Sequence, residues 1–171
     1  PQTGQNVHGA VQAFDVDGDG LLDIFCEDAA GFVYRLTNMG KLVWTSFQCG
    51  KANEGQVTVA DIDRDGEYEV LWASQDFNVY CVSALTGAEK WRFNTGANMQ
   101  QNQVIVADVN KDGEYEAIVW NDLGQVFCIS FFGTEIWRWT NPKGLQGRMC
   151  LCQAMGDVDG DGSMDLSLIH I

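Results

Sequence analysis

The chain has 171 residues, 46% of them hydrophobic, which is long enough to bury a core. Nineteen glycines against two prolines suit many strands joined by tight turns, and no run of about 18 apolar residues encodes a membrane-spanning helix. A net charge of −14 with no basic stripe excludes nucleic acid as a partner.

In chain order, residues 1–4 read as the end of an earlier unit, since Gln2-Thr3-Gly4 resembles Gln48-Cys49-Gly50 and Asn94-Thr95-Gly96. The acidic stretch 15–23 returns at 61–69, 108–116 and 157–165, at offsets of 46, 47 and 49 residues, and Trp44, Trp91 and Trp137 repeat at 47 and 46. Two independent marks with one period identify a repeat protein whose unit is the size of a four-stranded propeller blade.

A first strand precedes each acidic stretch, as in Val57-Thr58-Val59-Ala60 and Val104-Ile105-Val106-Ala107. A second follows it directly, over 24–26, 70–72 and 117–120; a third, over 32–34, 78–82 and 125–129, comes after a Gly/Asp/Asn turn; a fourth carries the periodic Trp. This pattern of β-branched and aromatic runs broken by turn residues predicts an all-β chain, a β-propeller segment of four-stranded antiparallel blades. Three complete blades are expected over 5–50, 51–96 and 97–144, with a partial one over 145–171. Residues 166–171 also resemble a translated adapter tail, the alternative being an ordinary second strand, and His170 is given no role. Because a propeller closes its sheet edges as a ring, the chain is expected to be a fragment of a larger propeller and to have the remaining blades of that parent as partners.

Each acidic stretch reads D-x-[DN]-x-D-G-x-x-[DE] from position 1 to position 9, and fifteen of the 24 acidic residues stand at positions 1, 3, 5 or 9, leaving nine against ten Lys and Arg. Side chains at 1, 3 and 5, the backbone carbonyl at 7 and the carboxylate at 9 supply the oxygen shell that calcium takes. The predicted ligand sets are Asp15, Asp17, Asp19, Leu21 and Asp23; Asp61, Asp63, Asp65, Glu67 and Glu69; Asp108, Asn110, Asp112, Glu114 and Glu116; and Asp157, Asp159, Asp161, Ser163 and Asp165. Up to four calcium ions are expected, one per loop. Gly20, Gly66, Gly113 and Gly162 at position 6 allow the sharp reversal, and Val16, Ile62, Val109 and Val158 at position 2 are expected to anchor the loop on the core. An EF-hand is excluded, since it needs Glu at position 12 and these loops carry Cys26, Trp72, Val119 and Leu168 there. A metal-free Asp/Gly turn is the competing reading for one copy; four copies concentrate carboxylates that repel unless a cation offsets them. Asn110 leaves the third loop with one carboxylate fewer, so it is expected to be the weakest complete site.

The six cysteines, Cys26, Cys49, Cys81, Cys128, Cys150 and Cys152, show no metal-finger spacing and read as buried thiols. Trp44, Trp91 and Trp137 are expected to pack blade on blade, whereas Trp72, Trp120 and Trp139 are less periodic and read as core residues, the alternative being that one of them is an exposed platform. His8, Asn53, Glu54, residues 98–103, Gln146 and Arg148 are placed in connections on one propeller face, as an amide-rich rim for hydroxyl-bearing ligands or as ordinary solvated loops. No catalytic residues and no organic cofactor site are identified.

The acidic loops between short strands are similar to the FG-GAP/VCBS repeats of integrin α-like, calcium-binding propellers. The stretch 79–93, with its Thr86-Gly87 turn and Trp91, resembles the quinoprotein (PQQ-type) repeat, whose Trp docks one blade on the next. The resemblance implies a structural calcium between the first two strands of a blade. The function expected is a calcium-stabilised binding module for a protein or glycan, secreted, on the cell surface or periplasmic. The alternative is a propeller domain of a carbohydrate-active enzyme of the rhamnogalacturonan-lyase type or of a quinoprotein-type oxidoreductase.

Overall fold

Short Gly-, Asp- and Asn-containing turns leave consecutive strands only one arrangement, an antiparallel meander, and each period of the sequence adopts it. The structure, a computed structural model, describes residues 7–50, 56–99, 102–142, 153–157, 159–160 and 165–168. The first sheet holds β1 (Val7–Phe14), β2 (Asp23–Asp28), β3 (Val33–Leu36) and β4 (Leu42–Thr45). The second holds β5 (Thr58–Ala60), β6 (Glu69–Ala73), β7 (Asn78–Ser83) and β8 (Glu89–Asn94). The third holds β9 (Ile105–Ala107), β10 (Glu116–Trp120), β11 (Gln125–Ser130) and β12 (Glu135–Thr140). β13 (Gln153–Gly156) and β14 (Asp165–Leu168) form a two-stranded sheet, with Leu166 and Ser167 in regular register opposite Met155 and Ala154. Among the described residues no helix forms, and none is long and apolar enough to cross a membrane.

The middle strands of a blade are buried on both faces, and successive side chains enter different cores because a strand alternates its faces. Along β6, Val70 and Trp72 join Phe25, Val33 and Trp44 of the first sheet, while Leu71 and Ala73 join Ala117, Val119 and Phe127 of the third. β7 does the same with Tyr80 and Val82 on one side and Val79 and Cys81 on the other. Ile118, Trp120, Val126 and Cys128 turn to a third core that includes Met155 of β13. The first strands line up beside one another: Gln56 bridges Gln103 in parallel, and the Thr58 hydroxyl donates to the Val104 carbonyl at 2.6 Å. Cys26, Cys49, Cys81 and Cys128 are buried free thiols, and burial pushes Cys49 and Cys128 up to about 12, which keeps them protonated and inert. Cys150 and Cys152 lie outside the described residues.

Two periodic tryptophans dock across blades as expected. Trp44 lies on the turn between β7 and β8, its Nε1 donating to the Ala84 carbonyl at 2.9 Å, and a Cβ on Gly87 would stand 2.9 Å from its ring. Trp91 lies likewise on Gly133, where a Cβ would come within 2.8 Å of it. The indole N–H of Trp91 finds no acceptor, because the turn beneath it, from Ser130 to Gly133, is one residue shorter than the turn from Ser83 to Gly87 under Trp44. Trp137 holds the same register opposite Cys128 that Trp91 holds opposite Cys81, but it is 41% exposed, as is every residue of β12 to a comparable degree. Of the three less periodic tryptophans, Trp72 and Trp120 are core residues as expected, and Trp139 is exposed.

These contacts generate a stability test. Gly133 and Gly96 both have left-handed φ, +80° and +77°, but only Gly133 is covered. Gly96→Ala should cost only the backbone penalty, about 1–2 kcal/mol. Gly133→Ala should cost about 1–3 kcal/mol more, because the new methyl overpacks Trp91. Equal shifts of the chemical unfolding midpoint in the two variants would show that Trp91 is not tightly seated.

Candidate metal centres

The acidic loops are hairpins closed by sheet register. Position 1 follows the last residue of a first strand and position 9 is the first residue of the second, paired as Phe14 with Asp23, Ala60 with Glu69, Ala107 with Glu116 and Gly156 with Asp165. The strands therefore hold both ends of the ligand set. Position 2 anchors the middle: Ile62 is fully buried, and Val16 and Val109 pack against the cores on their own sides. Val158 lies outside the described residues.

Within each hairpin the side chains hold the backbone in a tight coil. The N–H of position 6 donates to the position 1 carboxylate, at 2.9 Å for Gly20 to Asp15 and 3.0 Å for both Gly66 to Asp61 and Gly113 to Asp108. The N–H of position 7 donates to position 5 at 2.8 Å in all three: Leu21 to Asp19, Glu67 to Asp65 and Glu114 to Asp112. Position 4 is left-handed as well as position 6, at Gly18 (φ 73), Arg64 (φ 58), Lys111 (φ 61) and Gly160 (φ 76). Two of these carry side chains, so glycine content alone did not mark the position.

Oxygens of Asp15, Asp17 and Asp19 lie within 4.8 Å of one another, as do those of Asp61, Asp63 and Asp65. Either group could hold a metal ion. In the second and third hairpins Asp61 Oδ1 and Asp108 Oδ1 are buried with no hydrogen-bond partner. A buried, orphaned carboxylate oxygen in an all-oxygen donor set fits a hard cation such as calcium. Asp157 accepts the Gly160 N–H at 2.7 Å, Asp165 opens β14, and Asp161 and Ser163 lie outside the described residues.

The position 9 acids are the most enclosed. Glu69 is fully buried and takes the Ile62 N–H on Oε2 at 3.0 Å; Glu116 takes the Val109 N–H at 2.9 Å. Burial pushes both carboxyls above their usual range, and those N–H groups pull the other way. Residues from outside the loops complete the charge. Arg35 Nη2 joins Asp17 at 2.6 Å to Asp23 at 2.7 Å. Lys90 Nζ reaches Glu69 at 2.5 Å, Asp63 at 3.0 Å and Asp65 at 3.7 Å. The third hairpin uses the amide of Asn110, which donates to Asp112 at 2.8 Å and to Glu116 at 3.3 Å. Neither cation was singled out from the sequence. Arg35 had a local signal, a charge where the next two repeats place Cys81 and Cys128. Arg64 links the second hairpin to the third, donating to the Gly113 carbonyl and lying over the Tyr115 ring at 4.4 Å.

The amide-rich rim needs correction. His8 belongs to β1, opposite Glu27, so it lies in a strand rather than a connection. Met99 is fully buried, in the core shared by the second and third sheets, and Asn102 is nearly so, its amide donating to the Trp120 carbonyl. Gln103 is exposed; Asn53, Glu54, Gln100, Gln101, Gln146 and Arg148 lie outside the described residues.

Comparison with known proteins agrees with this geometry. Residues 15–72 match the FG-GAP-like repeat family. Over 70 residues, 41% of the chain, it is 40% identical to a lambda-carrageenase of Pseudoalteromonas sp. It is 39% identical to that of Pseudoalteromonas carrageenovora over 69 residues, 40% of the chain. The matched region spans only 7% of the length of either enzyme. Among solved structures, BBS1N in its complex with ARL6DN superposes with a TM-score of 0.62 at 14% identity, over 98% of this chain and 48% of that one. BamB from Moraxella catarrhalis gives 0.50 at 17% identity, over 78% of this chain and 38% of that one. At such identities the structural likeness concerns fold alone. Repeat period, hairpin register and these matches converge on one description: the chain is a segment of a β-propeller in which residues 15–72 match the FG-GAP-like repeat.

Proposed function

We propose that this chain is the calcium-stabilised part of an extracellular β-propeller that binds glycan. The observation that carries the metal is the second hairpin, where Asp61, Asp63 and Asp65 converge and buried Asp61 Oδ1 has no partner. Its shell is completed in this reading by the Glu67 carbonyl and Glu69. Equivalent sets in the other hairpins take up to three more ions, at 15–23, 108–116 and 157–165. Bound calcium would tie the first two strands of each blade and offset the carboxylates, and millimolar extracellular calcium suffices for sites of this kind. The relation to the lambda-carrageenases supports a glycan rather than a protein ligand. Exposed Trp137 and Trp139 on β12 offer aromatic surface for a sugar ring, or for the next blade of the parent. The same relation supports a second reading, a non-catalytic or catalytic propeller within a carrageenan-degrading parent.

Calcium at a hundred times its Kd stabilises by about 2.7 kcal/mol. At about 2–4 °C per kcal/mol for a chain of this size, EDTA should lower the melting temperature by roughly 5–10 °C. An unchanged melt counts against structural calcium. In calcium titrations Asp63→Asn should weaken the second hairpin and Asn110→Asp strengthen the third; no change in either would remove the carboxylate count as the determinant of affinity. In native gels containing lambda-carrageenan the calcium-loaded chain should be retarded without cleaving the polymer. Depolymerisation by the longer parent protein would favour the enzymatic reading, and unretarded migration would remove the glycan.

A further inference from the structure

The three described hairpins differ in what balances their buried charge. Glu69 is wholly out of water, and a buried carboxylate without a positive partner is costly. The Lys90 ammonium supplies that partner and at the same time touches Asp63 and Asp65, so it stands among carboxylates that also belong to the metal donor set. Its position on β8 is set by the neighbouring Trp91, seated on Gly133.

The first hairpin has a cation too, but of another kind. The Arg35 side chain is 3% exposed and is held at a further point, Nη1 donating to the Leu85 carbonyl of the second sheet at 2.9 Å. Leaving Asp17 and Asp23 would bury a guanidinium without its anions. The Lys90 side chain is 29% exposed and unbranched, its ammonium pairs with Asp63, Asp65 and Glu69 of this hairpin, and rotation of its stem carries the ammonium to water. In the third hairpin the Asn110 amide stands between Asp112 and Glu116, and Arg64, arriving from the second hairpin, donates to the Gly113 carbonyl rather than to a carboxylate.

We propose that Lys90 is a displaceable resident cation of the second hairpin, one that holds Asp63 and Glu69 together without metal and must leave them when a metal ion enters. This rests on the calcium reading above. Calcium binding there is an exchange of one cation for another, which leaves the hairpin folded in both states and lowers the apparent affinity by the fraction of time the ammonium is in place.

The test is calcium titration calorimetry on the chelator-treated chain and its Lys90→Met variant. One site should tighten by about tenfold in the variant, for an ammonium in place about nine-tenths of the time, while the metal-free variant melts at a lower temperature than the metal-free parent. If the parent binds calcium and no site tightens in Lys90→Met, the exchange is overturned and the calcium reading stands. If neither protein binds calcium, both fall. Should the variant not fold, trace acetylation of the unmodified chain with mass spectrometry decides: Lys90 reactivity should rise severalfold on adding calcium, and unchanged or reduced reactivity overturns the proposal.

Discussion

A blade has two apolar faces, and each is buried only by the blade beside it. Val70 and Leu71 are adjacent in the chain yet belong to different cores, one shared with the first sheet and one with the third. Hydrophobic burial, the largest favourable contribution to folding, is therefore collected between repeats rather than within them. A single meander would expose both faces. The tryptophan contacts fix how far one blade rotates on the next, since Trp44 and Trp91 can approach only where Gly87 and Gly133 present bare backbone.

The hairpins depend on that same packing. In the second and third hairpins the position 9 acids begin second strands that are buried on both faces, and the position 2 side chains pack on the cores, so both ends of each acidic set are tied to buried backbone. The consequence is electrostatic. Burial of Glu69 and Glu116 strengthens the charge interactions around them. Each hairpin then needs a positive or hydrogen-bonding group at its centre, and Arg35, Lys90 and Asn110 are three separate solutions on one backbone. Repetition of the fold has not imposed repetition of the charge balance.

That difference would give the hairpins different relations to calcium under the proposed function. An arginine locked across a blade boundary is part of the structure, a lysine at the surface is an exchangeable ion, and an amide brings no charge. The second hairpin also passes its geometry to the third through Arg64, whose guanidinium spans the gap to Gly113 and Tyr115. Arg35 and Arg64 thus tie two of the acidic hairpins to the neighbouring blade.

The sequence by itself determined whatever is local or periodic. The spacing of acidic stretches and tryptophans gave the blade, the alternation of β-branched residues gave the strands to within a residue or two, and positions 1, 3 and 5 named the acids that meet in the first two hairpins. These are legible because a hairpin and a strand are specified by neighbours in the chain. Only the tertiary structure decided which groups from distant positions enter a site and which polar segments are buried. Lys90 reaches Asp63 across 27 residues, and Arg35 meets Leu85 across 50. Residues 98–103 read as a polar connection, yet the junction of two sheets turned Met99 and Asn102 inward. Trp91 and Trp137 share a sequence position and a register, but only one has a described blade beneath it. Burial and charge pairing depend on what another part of the fold brings alongside, and a repeat pattern carries no record of that.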